Sequence, residues 1–230
     1  MKKRVKITTL DWILDIIFPC YCKGCGKIGS AFCSCCIFDN LKKNRPFFTN
    51  SDPYFKNIFV CGMRTGLLSE IISEYKFLSR RRYSYALSEM LYYTILKYSK
   101  EKYIIVPLPT IPKHIRSRGF DHIMRLAREL SAISGFSVCP ALARDKTAVQ
   151  VGSSAERRLK QAKEAYRINP KAILDLESHY LLLDDVWTTG ASMRAARDVL
   201  EAELIRRGAS KNGIKISAIV LAKNSGYEFS

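Results

Sequence analysis

The sequence predicts an α/β protein built on a parallel sheet, with a small four-cysteine knuckle ahead of it. Three observations carry that prediction. Short apolar runs at 103–106, 180–183 and 215–222, the first of them rich in β-branched residues, read as buried strands. Segments with helical spacing alternate with them, the pattern of a parallel sheet covered by helices. And of the 8 cysteines, Cys20, Cys22, Cys25, Cys33, Cys35 and Cys36 crowd into one short stretch.

The 230 residues hold one ordinary domain of about 100–200 residues plus an appendage. A 47% hydrophobic content excludes a disordered chain. The net charge of +17 draws the protein to polyanions: nucleic acid, an anionic membrane or a phosphorylated ligand. Composition does not choose among these. The surplus is uneven, with nine basic and three acidic residues in 1–50 but eight and seven in 151–200.

In chain order, Met1-Lys2-Lys3-Arg4 resembles the start of a signal peptide. Asp11 and Asp15 interrupt the apolar stretch behind it, and no small-residue cleavage site follows. No run reaches the roughly 18 apolar residues of a membrane span. The expectation is a cytoplasmic protein with no integral span. Residues 10–18 read as an amphipathic helix packed on the body, with peripheral contact at the inner face of a membrane as the second reading.

Crowded cysteines in a reducing compartment argue for metal rather than disulfides. Two pairs, Cys22-Lys23-Gly24-Cys25 and Cys33-Ser34-Cys35-Cys36, each bend so that both thiolates face one ion, and Zn²⁺ takes four such ligands in a tetrahedron. The expected ligands are Cys22, Cys25, Cys33 and Cys36, with Cys20 and Cys35 as spares and Cys20 able to replace Cys22 in another register. A closed four-thiolate site makes the zinc structural. Free thiols or a redox couple are the plainer reading. Cys61 and Cys139 are expected to be buried.

Residues 42–53 read as a polar linker between a knuckle unit, 1–50, and a main domain, 51–230. Beyond it the pattern predicts a strand at 57–62, helices over 66–78 and about 84–98, and the strand at 103–106 closed by Pro107-Leu108-Pro109. A helix over 121–134, short extended pieces near 138 and 142, a polar helix over 154–165, a helix over 190–207 and the last strand complete the series. Lys76 and Arg80-Arg81-Arg82, interleaved with Tyr75, Phe77 and Tyr83, are candidate nucleic-acid contacts. A solvated helix junction is the bland alternative, and core packing is the expectation for Phe77. His114 and His179 read as surface positions, and His122 as a hydrogen-bonding residue.

The most informative stretch is Leu181-Leu182-Leu183-Asp184-Asp185-Val186-Trp187-Thr188-Thr189-Gly190-Ala191-Ser192. A buried strand ends in two acids, and a hydroxyl-rich loop with a glycine opens a helix. Ligands of open parallel sheets bind beyond the carboxyl ends of the strands, and a helix N-terminus offers free N–H groups to phosphate. Asp184 and Asp185 could accept from two neighbouring sugar hydroxyls or help to hold Mg²⁺. Two carboxylates suit a phosphate joined to a ribose better than a free phosphate. An ordinary strand–turn–helix junction would need only one of the acids.

That stretch resembles the signature of type I phosphoribosyltransferases, which bind phosphoribosyl pyrophosphate (PRPP): Asp-Asp-x-x-Thr-Thr-Gly-x-Ser/Thr after a hydrophobic strand. Arg116-Ser117-Arg118-Gly119-Phe120-Asp121-His122 resembles the Arg-x-Arg-Gly-Phe-Asn-Gln motif of ComF-type competence proteins (ComFC). Gln150-Val151-Gly152, Glu156-Arg157-Arg158, Gln161 and Ala165-Tyr166 resemble a further segment of that family, and the leading knuckle is typical of it. The resemblance spans about 10–222. It implies a type I phosphoribosyltransferase fold with PRPP, carried with Mg²⁺, at Pro107, Arg116, Arg118, Asp184, Asp185, Thr188, Thr189, Gly190, Ala191 and Ser192. Asp184 and Asp185 would serve displacement of pyrophosphate at the anomeric carbon. It also implies handling of single-stranded DNA in natural transformation, beside DNA-uptake proteins such as a helicase. Arg157 and Arg158 fit a flap over the site. The chain departs from the motif at Asp121-His122, where the family has Asn-Gln, and at Ser153, Gln161 and Tyr166. A nucleobase phosphoribosyltransferase is the alternative; purine-salvage relatives carry an acid where Thr188 stands, and its absence weighs against that alternative. A non-enzymatic binding module that keeps PRPP as a regulatory input is the third reading.

Overall fold

The computed structural model describes residues 19–50, 52–77, 81–144 and 166–225. The predicted helices at 10–18 and 154–165, Arg80, and the motif residues Gln150, Arg157, Arg158 and Gln161 lie outside the described residues. The rest is an α/β protein with a mostly parallel sheet and a four-cysteine cluster at the front, as the sequence predicts.

A six-stranded sheet runs in the order β1 (Phe47–Thr49), β2 (Ile58–Val60), β8 (Lys215–Lys223), β7 (His179–Trp187), β3 (Ile104–Pro107), β4 (Ser137–Val138). All neighbours are parallel except β1, which pairs antiparallel with β2 at the edge. A separate antiparallel pair joins β5 (Leu142–Arg144) to β6 (Tyr166–Ile168).

Alternation along each strand sorts side chains between two cores. Leu181, Leu183, Ile219 and Leu221 face one side with α2 (Gly66–Phe77), α3 (Tyr83–Tyr98) and α5 (His122–Ser134). Tyr180, Leu182, Ala218 and Val220 face the other, with α6 (Ala191–Arg206). Both faces are covered, which is why these strands read as continuous apolar runs. Truncating a side chain such as Leu182 to alanine is expected to cost about 2–5 kcal/mol.

The knuckle leads into α1 (Ser34–Asn44), and its Phe32, Ile37 and Leu41 belong to the same core cluster as Tyr75 and Leu87. Lys23 bridges from the knuckle to Glu74 (2.8 Å) and Glu70 (3.5 Å) on α2. The predicted linker therefore carries the last turn of α1 and all of β1.

Two further elements differ from expectation. Helix α4 (Pro112–Arg118) starts at a proline, which serves at the first helical turn, where no N–H is required. It ends on Gly119 at φ 71°. Strand β7 does not stop at the acids. It continues to buried Trp187, with Asp184 opposite Val220 and Val186 opposite Ala222.

Candidate functional site

Strands β2, β8, β7 and β3 point their carboxyl ends the same way, and the loops beyond them enclose a cleft of ≈ 250 Å³. Four cations meet two acids there: Arg64, Lys76, Arg118 and Arg144 around Asp184 and Asp185. Each cation comes from a different element. Arg64 follows β2 and donates its backbone N–H to the Lys223 carbonyl at 2.8 Å. Lys76 ends α2, Arg118 ends α4 and Arg144 ends β5. The Arg144 guanidinium is held by the Pro109 carbonyl (3.0 Å) and lies over the Tyr166 ring.

The two acids are not equivalent. Asp185 is buried, and its Oδ2 accepts from Lys76 Nζ at 2.7 Å and His122 Nε2 at 2.9 Å. Arg118 sits 3.1 Å from the other ring nitrogen of His122. A guanidinium can only donate, so Nδ1 accepts and Nε2 carries the proton that Asp185 receives. Burial alone would raise the Asp185 pKa, but His122 and Lys76 outweigh it and hold the group at about 2. Asp184 is half-buried and accepts the Asp185 backbone N–H at 2.9 Å. Burial and the neighbouring Asp185 charge push it up to about 7.

Beyond the acids, Gly190 takes φ 76° and opens α6. A Cβ there would lie 2.5 Å from the Trp187 ring, so only glycine fits. Thr188 and Ser192 line the cleft, and Thr189 Oγ1 accepts from the Ala191 N–H at 3.3 Å. This is a helix N-terminus with hydroxyls around it, directly beside two carboxylates.

The remaining predicted positions divide. Pro107 is buried behind the cleft wall, opposite Leu183, and Arg116 is exposed and outside the lining. Among the nucleic-acid candidates, Lys76 is committed to Asp185. Arg81 donates to the Gly119 carbonyl at 2.8 Å and lies over Phe120. Arg82 is exposed. Tyr75 and Tyr83 are buried, whereas Phe77, expected in the core, is 62% exposed with Arg118 over its ring. His114 is exposed beside the cleft. His179 is buried rather than on the surface, since it begins β7 and is satisfied by Glu101 and Ser217. Cys61 is buried and Cys139 half-buried.

Sequence reading did not single out Arg64 and Arg144 as cleft residues, nor the pairing of Lys76 with Asp185. None has a local signal, because each enters the cleft from a separate element.

At the front, the sulfurs of Cys22, Cys25, Cys33 and Cys36 all lie within 4.8 Å of one another, while Cys20 and Cys35 stand outside the group. The Cys22–Cys33 and Cys25–Cys33 separations are 3.6 and 3.7 Å. Four sulfurs bound tetrahedrally to zinc at about 2.3 Å lie roughly 3.8 Å apart, so the donor set fits that ion. Burial raises the Cys22 pKa, but the N–H groups of Cys33, Cys25 and Gly24 outweigh it and bring the thiol to about 6, toward the ligating thiolate. A Cβ on Gly24 would come within 2.7 Å of the Cys36 sulfur. Cys33 is the N-cap of α1 and Cys36 lies in its first turn, where burial and the neighbouring cysteines push the Cys36 thiol up.

No family model matches the chain, and no curated protein does. Solved structures similar to it include a hypoxanthine phosphoribosyltransferase from Staphylococcus aureus (TM-score 0.37, 8% identity, covering 65% of this chain and 68% of that one). An adenine phosphoribosyltransferase from Thermoanaerobacter pseudethanolicus gives a TM-score of 0.37 and 14% identity over 63% of this chain and 83% of that one. The adenine enzyme of Leishmania tarentolae gives 0.41 and 12% over 76% and 94%.

Proposed function

We propose that the cleft binds PRPP with Mg²⁺, and that the chain is a ComF-type protein of the type I phosphoribosyltransferase group with a structural zinc in its knuckle. One observation supports this most: two strand-borne acids stand beside a hydroxyl-rich helix N-terminus and face four cations. A free phosphate would be repelled by the acids. A ribose carrying phosphate and pyrophosphate gives each group a partner.

Asp184 and Asp185 accept from the ribose hydroxyls. Thr188, Ser192 and the first N–H groups of α6 take the 5-phosphate. Arg64, Arg118 and Arg144 face the pyrophosphate and stabilise negative charge as the anomeric bond breaks. The paired carboxylates offset positive charge developing on the ribose ring. Mg²⁺, when bound, neutralises the departing pyrophosphate. Thr188 offers no carboxylate to a purine, which counts against purine salvage.

Handling of single-stranded DNA rests on the motif resemblance and the +17 charge. Lys76 is engaged by Asp185, whereas Arg81, over the Phe120 ring, and Arg82 both lie at the surface, where a strand can reach them.

Calorimetry with PRPP and Mg²⁺ tests the central reading. Binding by the native chain and none by the double variant Asp184→Ala, Asp185→Ala is expected; equal affinity would mislocate the site. Salt-dependent single-strand binding that survives the same double change would separate DNA handling from PRPP. Pyrophosphate release only with a free base would favour nucleobase salvage instead.

A further inference from the structure

We propose that Lys76 and His122 are positioning residues that clamp one oxygen of Asp185, leaving its other oxygen fixed to read a ribose hydroxyl, so that the cleft selects ribose over deoxyribose phosphates. This rests on the ribose-phosphate reading above.

A short carboxylate at the end of a sheet can rotate about its terminal torsion, and a rotating acceptor discriminates poorly. Here rotation is blocked. Lys76 from α2 and His122 from α5 both bond Oδ2, at 2.7 and 2.9 Å. The clamp is itself held. Arg118 fixes the ring through Nδ1 at 3.1 Å, Tyr75 donates its hydroxyl to the His122 carbonyl at 2.7 Å, and Asp121 caps α5 through the N–H groups of Ile123 and Met124 at 3.1 Å. Among the described residues Asp184 has no such clamp: its Oδ1 accepts one backbone N–H, and it is half-buried. One acid is therefore rigid and the other adaptable. A buried, oriented acceptor is the arrangement that penalises a ligand lacking the matching hydroxyl, because the acceptor then stays unpaired. His122 occupies the position where the resembled motif carries glutamine, whose amide could donate to the same oxygen.

Calorimetry with ribose 5-phosphate, 2-deoxyribose 5-phosphate and 3-deoxyribose 5-phosphate reads the clamp as a ratio of affinities. The native chain should prefer the full ribose over one deoxy analogue by roughly 10–100-fold. Lys76→Met should weaken all three ligands through the lost cation but also shrink that preference to about threefold or less. His122→Ala should do the same without removing a cation. Lys76→Arg and His122→Gln should keep the preference, which a merely structural defect would not do. An undiminished ratio in both Lys76→Met and His122→Ala would overturn the clamp, as would a native chain that binds ribose 5-phosphate without discrimination. Absence of any ribose 5-phosphate binding would instead overturn the ribose-phosphate reading beneath it.

Discussion

The knuckle and the cleft both bring acidic groups together, and they resolve the repulsion in opposite ways. The knuckle collects four thiols from 22–36 and offers every one to a single ion. The cleft collects two adjacent acids on one strand and neutralises one with side chains from elsewhere, leaving the other open. A closed set of like ligands makes a structural joint. An asymmetric set, half satisfied and half waiting, makes a binding site.

The largest expected effect breaks the knuckle. Elemental analysis should give about one zinc per chain, and structural zinc in small peptides is worth about 10–16 kcal/mol of apparent binding. Since Phe32, Ile37 and Leu41 share a core with Tyr75 and Leu87, chelation or Cys33→Ser should lower the melting temperature of the whole chain. An unchanged melting curve after complete metal removal would show the two regions to be independent.

Next come the glycines, one per region. Gly190→Ala forces a side chain into a positive-φ position and against Trp187, and should weaken PRPP binding at least tenfold while lowering stability by about 1–3 kcal/mol. Gly24→Ala should loosen zinc, read by competition with a chelator, and leave PRPP affinity near native. Crossed effects would blur the distinction between joint and site.

The smallest effect is electrostatic. Asp184 titrates at about 7 in the folded chain, above its unfolded range, so the folded state holds its proton more tightly. Its contribution is fully present below about pH 4 and is lost as pH rises through 7. Asp185 has the opposite sign: held at about 2, it contributes stability above the unfolded carboxylate range that is lost as pH falls toward 2. Denaturant melts of ligand-free protein should therefore show Asp184→Asn gaining on the native chain between pH 5 and pH 8. A pH-independent difference would mean that Asp184 does not titrate in that window.

The same contrast explains what the sequence disclosed. The knuckle was legible because its ligands are local and chemically unambiguous. The sheet was legible because Leu181, Leu182 and Leu183 are buried on both faces. The acids and 188–192 were legible as one contiguous signal. The cationic half was not. Lys76 lies at the end of a helix whose other basic neighbours suggest a surface charge run, and nothing local says that it turns toward a strand far along the chain. His179 was misread because polarity suggested solvent, whereas Glu101 and Ser217 supply its partners in the interior. Helix α4 was missed because Pro107 and Pro109 read as a stop, and the helix opens just beyond them at Pro112.

The pairing of Ile58 with Ala218 carries a consequence for synthesis on the ribosome. Strand β2 emerges early, yet its parallel neighbour is the last strand of the sheet. The cysteine knuckle can load metal and close while translation continues. Strand β2, its partner unmade, can shelter only against β1 and the helices until nearly the whole chain is out. Long-range parallel pairing of this kind folds slowly and exposes strand edges to other chains meanwhile. Pauses or truncations late in the message should thus be the events that send this protein into aggregates, even though everything cut away is distant in sequence from the metal ligands.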